Sequence, residues 1–318
     1  MSIFLLFDTS FFNSVMMMMA PLTFACLGEI LIERSGILNL GIEGMLMVGA
    51  VLGFLGTYQT GSATLGCLSA MAGGSLLTLM LAYFAISLRG SQVIVGLSIF
   101  VLGLGLSPLL YRLMIGVVAS TPQVPTLPYL EVPFLGNIPF IGEAFFRQNI
   151  LVYTSYVLVV IMGLFLFKTP LGLRIRACGE NPRAVDTLGI SVTRLRYGSC
   201  AVGGMLLGLS GAYLPLVITG TFTNNIINGR GWIALILVIF GRWVPLWSFL
   251  GAFLFACVDA FQFRVSSLPG MSKIIPPQFL LMLPYLFALL VIIKVARGTE
   301  APQSLARPYD REARGLRK

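Results

Sequence analysis

The chain has 318 residues, 57% of them hydrophobic and only 10% charged, with a net charge of +9. A soluble domain carries about 25% charged residues, so this composition, with a mean hydropathy of +0.92, excludes an ordinary soluble protein. Histidine is absent, which removes Ser-His-Asp catalysis, H-E-x-x-H zinc chemistry and imidazole proton relays.

Each crossing of a bilayer needs about 20 mostly apolar residues. The length therefore accommodates roughly eight to ten membrane elements. The expected fold is all-α, a polytopic membrane helix bundle with some discontinuous helices. The N-terminus lacks a basic n-region, so the first apolar stretch reads as a permanent span. That span covers Phe11 to Ile32, with the methionine run Met16 to Met19 as packing filler. The following ERSGILNLGIEG, Glu33 to Gly44, sets charges and glycines into apolar sequence. It reads either as a turn between two helices or as a discontinuous element beside a transport pathway. From Gly44 to Leu88 there is no charge, enough chain for two spans hinged near Thr57–Ser62. Gly49 and Gly53 offer a small-xxx-small face for close packing. A fourth span runs from Gln92 to near Met114. Pro122, Pro125, Pro128, Pro133 and Pro139 then exclude a long helix and predict an ordered external loop as far as Asn149. The fifth span is Ile150 to Phe167.

Thr169 to Arg196 is the long polar interruption of the chain. Arg174, Arg176, Glu180, Arg183, Asp186, Arg194 and Arg196 place it outside the hydrocarbon, because each charge at the bilayer centre costs about 2.5–3.5 kcal/mol or more. Its centre has a compact helix signal. Asn181 is an N-cap, Pro182 suits the first helical position, and Gly189 suits the left-handed stop. The expected helix is Pro182 to Leu188, with Ala184, Val185 and Leu188 on one face and Arg183 and Asp186 elsewhere. A helix this short is marginal alone, so the apolar face predicts docking on another protein.

The sixth span is expected after Arg196, with Gly203, Gly204, Gly208 and Gly211 allowing close backbone approach. Thr219 to Gly231 is a polar loop, and Trp232 to Phe240 is too short to cross unaided, as a half-helix would be. Arg242, Trp243 and Trp247 read as an interfacial cluster. Further spans are Val244–Phe263 and Phe279–Val295. Residues 1–296 thus form the membrane domain, with 169–196 as its cytoplasmic loop, and 297–318 a frayed cytoplasmic tail. Basic residues fix the orientation. Of the 21 Lys and Arg, sixteen fall on the side of the central loop and tail, and Arg112, Arg147, Arg230, Arg264 and Lys273 on the other. This gives nine membrane elements with the N-terminus outside. A re-entrant Glu33–Gly44 segment would put it inside.

No G-x-x-x-x-G-K-[ST] occurs, so ATP hydrolysis is not expected on this chain. Paired acids at span centres, as in many proton-coupled carriers, are not recognisable, and Glu43 and Asp259 fall near expected span ends. The five cysteines have no metal-ligand spacing, so no metal or cofactor is expected. A motorless membrane chain with a docking helix points to transport driven by an associated ATPase. The alternatives are an ATP-independent secondary transporter and, with no nucleophile–base pair, a membrane enzyme.

ERSGILNLGIEGMLMVGA at Glu33–Ala50 and TPLGLRIRACGENPRAVDTLGISV at Thr169–Val192 resemble two signatures of bacterial ABC-importer permeases of the branched-chain amino acid, ribose and nucleoside type. The order of the two motifs agrees, and the resemblance covers nearly the whole chain. It implies a multi-pass protein of the bacterial cytoplasmic (inner) membrane, a transport subunit and not an enzyme. It implies that Glu180, Asn181, Pro182, Arg183, Ala184, Val185, Asp186, Leu188 and Gly189 form the ATPase-coupling element. The implied partners are an ABC ATPase subunit, a second and paralogous permease subunit, an extracytoplasmic substrate-binding protein and membrane lipid, with no nucleic acid. The implied substrates are nucleosides first, simple sugars next and branched-chain amino acids last. Candidate pathway residues are Glu33, Asn39, Glu43, Gln92, Asn224 and Asn225, which offer mostly neutral hydrogen bonds.

Overall fold

The computed structural model describes residues 8–116, 121–131, 141–268, 276–295 and 300–310. Helix α1 (Thr9–Arg34) begins where the Asp8 carboxylate accepts a hydrogen bond from the Phe11 N–H. It is longer than the expected Phe11–Ile32 span, and Glu29 and Glu33 are both buried in its last turns. The connection Ser35–Gly41 leads into α2 (Ile42–Thr60), which ends at Gly61 in the left-handed region. Helix α3 (Ala63–Ala82) continues as a π-turn over Tyr83–Ser87, and α4 (Gln92–Ile115) returns across the bundle.

The proline-rich connection contains a small antiparallel pair, β1 (Tyr129–Glu131) with β2 (Arg147–Asn149), and a short helix α5 (Ile141–Phe145). Pro133 and Pro139 lie outside the described residues. Helix α6 (Ile150–Lys168) is capped by Asn149. The polar interruption is two helices rather than one, α7 (Pro170–Glu180) and α8 (Pro182–Thr187). Helix α9 (Val192–Tyr213) extends through a π-turn to Thr219. It starts before Arg196, not after it. Arg196 is 1% exposed, and its guanidinium donates to the Ser35 carbonyl. Helix α10 (Arg230–Phe240) is followed by α11 (Pro245–Ser266), α12 (Pro277–Leu281) and α13 (Leu283–Val295). The expected last span is thus broken at Met282, just before Pro284.

Seven of these helices, Thr9–Arg34, Ile42–Thr60, Ala63–Ser87, Gln92–Ile115, Ile150–Lys168, Val192–Thr219 and Pro245–Ser266, are long and apolar enough to cross a membrane. Shorter apolar helices cover Arg230–Phe240 and the α12–α13 region. The expected bundle with discontinuous members is therefore the observed architecture.

The centre consists of α1, α2 and α9, whose apolar windows are mostly enclosed, while α4, α6 and α11 leave broad flanks uncovered. Helices approach this closely because their contact faces lack side chains. A methyl group at Gly211 would overlap the Leu46 carbonyl, and one at Gly49 would overlap Gly208. Gly53 lies against Ala212, so the small-xxx-small face read from the sequence packs on α9.

The two ends of the bundle are distinct. Arg34 bonds the carbonyls of Arg242 and Trp243, and Arg89 pairs with Asp310, which gathers the turns and the tail at one end. At the other, Asp8 pairs with Arg264, and the Asn13 side chain donates to the Arg147 carbonyl. Residues 300–310 are folded back on the bundle rather than frayed, as Ser304 is buried.

Candidate functional site

Three side-chain caps shape the 169–196 loop. Thr169 accepts from Gly172 N–H at 3.1 Å, Asn181 from Ala184 N–H at 3.2 Å, and Ser191 from Arg194 N–H at 3.3 Å. Pro170 and Pro182 occupy first-turn positions, where no donor is lost. Gly189 adopts φ +75° and closes α8 through its N–H to the Asp186 carbonyl at 2.9 Å. The Asn181 cap, Pro182 start and Gly189 stop of the sequence reading are all present.

The apolar face divides. Val185 is 3% exposed and packs with Cys178 and Val192 in a small core flanked by Ile190, Leu195 and Tyr309. Leu188 lies just past the helix and is 76% exposed. The expectation of one docking face through Ala184, Val185 and Leu188 is corrected accordingly. Val185 holds the loop to its own chain, whereas Ala184 and Leu188 face outward with Asn181, Arg183 and Thr187. Pro182 and Asp186 are half-buried. Glu180 is exposed, stands 4.0 Å from Arg34, and accepts from the Gln303 N–H at 3.3 Å. The Cys178 thiol is buried, and this desolvation pushes its pKa up.

The expected pathway residues split into three places. Asn39, Glu33 and Gln92 are buried in the Ser35–Gly41 connection and its surroundings. Asn39 donates to Glu29 at 2.9 Å and accepts from Gly41 N–H at 3.0 Å. Gln92 accepts from Leu38 N–H at 2.7 Å, and Glu33 accepts from the Trp243 indole N–H. These side chains brace an irregular backbone that cannot satisfy itself within the membrane. Trp243 is consequently buried, not interfacial as its neighbours suggested, while Trp247 is exposed.

Glu43 sits elsewhere, at the start of α10. Its carboxylate accepts from both Gly229 N–H and Gly231 N–H at 2.7 Å. These are donors at the helix N-terminus, which favours negative charge. A side chain at Gly231 would press on Glu43, so glycine permits the contact. Eleven residues of helix span about 16 Å, half of the roughly 30 Å hydrocarbon core. Helix α10 ends at the turn with Trp243 and so covers about half of a bilayer crossing. Arg230, expected on the external side, is half-buried and stands 3.9 Å from Asp259. Tyr285 donates to the Asn228 carbonyl at 3.0 Å beside this pair. Glu29, Glu33 and Glu43 are buried, and Arg230 and Asp259 are half-buried. Asn224 and Asn225 are exposed in the preceding loop, Asn225 at φ +64°.

Residues the sequence did not single out include Ser304 and Tyr309, which lack any local motif. Arg196 had a signal, a charge four residues before a buried cysteine in a glycine-rich span. Among the described residues no three His, Cys, Asp or Glu side chains group as metal ligands.

Residues 11–293 match the family described as branched-chain amino acid transport system / permease component. The chain belongs to this permease family. It is a membrane transport component rather than an enzyme, and a multi-pass membrane protein. The permease is 37% identical over 300 residues to the guanosine ABC transporter permease protein NupQ of Bacillus subtilis, covering 91% of this chain and 93% of that protein. It is 34% identical to TsgC13 of Haloferax volcanii, provisionally described as a glucose ABC transporter permease, over 96% of this chain and 99% of that one. A second Bacillus subtilis guanosine ABC permease, NupP, is 26% identical over 62% of this chain and 56% of its own. The fold resembles a transporter solved inward-facing and provisionally typed as a metal-chelate ABC transporter, with a TM-score of 0.51, 15% identity, and coverage of 89% of this chain and 85% of that chain.

Proposed function

We propose that this permease forms the membrane pathway of an ABC importer for nucleosides, powered by a separate ATPase subunit that docks on the exposed edge of α8. The observation that carries the docking surface is Leu188, an exposed leucine presented on a rigidly capped turn. A leucine held outward on a capped turn is the kind of anchor that a groove on a partner takes. Glu180, Asn181, Pro182, Arg183, Ala184, Asp186 and Gly189 shape or flank that edge, and Val185 anchors it from inside. The nucleoside preference rests on the similarity to NupQ across nearly the whole of both chains.

The chain resembles NupQ much more fully than NupP, which supports pairing with a different, NupP-like permease in a heterodimer. An extracytoplasmic binding protein would deliver substrate at the end bearing Asp8 and Arg264. The basic-residue bias supports insertion in a bacterial inner membrane with 169–196 on the cytoplasmic side. Glu43, Asn224 and Asn225 remain the pathway candidates, with Glu43 holding the half-helix. Glu33, Asn39 and Gln92 act as braces behind it.

The test is uptake into proteoliposomes holding the permease, its partner permease, the ATPase and the binding protein. ATP-dependent uptake of guanosine, competed by adenosine and uridine but not by glucose or leucine, is the expected result. Competition by glucose alone would assign the sugar reading that the Haloferax relative favours. Uptake that persists without ATP and follows a proton gradient would refute the ABC mechanism.

A further inference from the structure

We propose that residues 300–310 are a cytoplasmic strap that positions the coupling loop against the ends of α1, α4 and α9, with Ser304 and Asp310 as its positioning residues. This rests on the reading of α8 as the ATPase-docking edge.

The strap has four anchors. Ser304 is 6% exposed, and its hydroxyl lies 2.7 Å from the Gly179 carbonyl and 3.1 Å from that of Cys178. Its backbone N–H donates to the same Gly179 carbonyl at 2.8 Å. These carbonyls close α7, where no intrahelical donor remains for them. The hydroxyl also faces the Arg196 guanidinium at 3.5 Å, so the strap touches α9. Gly36, after α1, has no side chain because one would strike both Ser304 and Arg196. Gln303 donates to Glu180, the carboxylate that also faces Arg34. Tyr309 packs onto the Val185 core beneath α8. Asp310 pairs with Arg89 at 2.6 Å, in the turn between α3 and α4.

These contacts cross the joint between the docking loop and the bundle. Val185 is the buried face of helix α8, and the strap supplies Tyr309 to the small core it enters. A groove of about 300 Å³ lined by Ser87, Arg89, Asp186, Gly189, Thr193 and Tyr309 separates α8 from the α3–α4 turn. The strap spans that gap. A push on α8 therefore reaches α4 through Tyr309 and Asp310, as well as α9 through its own chain.

The test uses the full-length permease assembled with its partner permease and ATPase. The variants are Ser304→Ala, Arg89→Asp, Asp310→Arg, the exchanged pair Arg89→Asp/Asp310→Arg, and Leu188→Asp. Three quantities are measured: ATPase co-purification, ATP hydrolysis by the complex, and the rate at which Cys178 reacts with a maleimide, located by peptide mapping. Each single strap variant keeps the ATPase bound and lowers hydrolysis about two- to tenfold, the range for losing one hydrogen-bonded anchor. Each also exposes Cys178 to the reagent, and the exchanged pair restores hydrolysis and protection together. Wild-type hydrolysis in the single variants overturns the proposal, whether or not Cys178 is uncovered. Unimpaired co-purification of Leu188→Asp would instead refute the docking edge, while Cys178 reactivity still reports the strap.

Discussion

Removing the Glu43 carboxylate should release the half-helix α10. Both of its oxygens accept backbone N–H donors, from Gly229 and Gly231, at 2.7 Å. A hydrogen bond to a charged group contributes about 1.5–3 kcal/mol, and losing the partner leaves a buried donor orphaned. Glu43→Ala removes two acceptors, for a loss of roughly 3–6 kcal/mol. Glu43→Gln keeps one acceptor but turns an amide donor toward a backbone donor, costing about 1.5–3 kcal/mol. For a chain somewhat larger than 250 residues, 1 kcal/mol moves the melting temperature by about 2 °C. The expected shifts are thus about 3–6 °C for Glu43→Gln and about 6–12 °C for Glu43→Ala. Thermal melting of the detergent-solubilised permease, followed by size-exclusion fluorescence, measures them. Uptake should fall in the same order, because α10 joins the Glu43 contact to the turn held by Glu33 and Arg34. Melting within 1 °C of wild type for Glu43→Ala would show that the carboxylate does not hold α10, and the reasoning fails.

Three further outcomes are expected. Leu188→Asp should abolish ATPase co-purification with an unchanged melting temperature, whereas Val185→Asp should lower the melting temperature, because an unpaired charge would enter the core with Cys178 and Val192; identical behaviour of the two variants contradicts the divided face. Gly211→Leu should prevent accumulation of folded protein, since even a methyl there overlaps the Leu46 carbonyl; normal expression and uptake would mean that α2 and α9 do not meet as described. The Arg264 guanidinium beside Asp8 holds that carboxyl well below the usual range, so the clasp is fully present above about pH 4 and is lost as the pH falls through the lower folded value. Asp8 is 43% exposed, so the effect is small; Asp8→Asn should flatten the acid limb of the melting profile, and an unaltered limb would assign it to another group.

The sequence carried most of the architecture because membrane spans announce themselves by length and hydropathy. Even the short α10 was legible, since Trp232–Phe240 is bounded by an asparagine loop on one side and by Gly241-Arg242 on the other. Local chemistry was legible too: the Asn181 cap, the Pro182 start and the Gly189 stop needed only neighbouring residues. What failed was partner assignment across the chain. Arg196 looked like a loop charge because nothing near it in sequence shows the Ser35 carbonyl that accepts its hydrogen bond. Nothing near Arg230 in sequence shows that it faces Asp259, 29 positions further along. Val185 and Leu188 share a face by spacing, but Tyr309, more than a hundred residues away, decides which of them is covered.

These long-range partners also join the two candidate regions. The carbonyls of Arg242 and Trp243, just beyond α10, receive the Arg34 guanidinium, and Arg34 faces Glu180 at the base of α8. The Trp243 indole is bonded to Glu33 one residue away, so this end of α10 is fixed to α1 by side chain and backbone together. The other end of α10 is held by Glu43 of α2. An eleven-residue helix bonded at both ends moves as a rod, because bending it would break its own backbone bonds. Arg34 and α10 thereby link Glu180 to Gly229 and Gly231. No side chain between them needs to carry a proton or an ion for this. A carrier driven by an ion gradient would place its charged groups where they can exchange with water from both sides. Here Glu33 is bonded to an indole and Glu43 to two backbone amides, which suits groups that transmit a push better than groups that load and unload a cation.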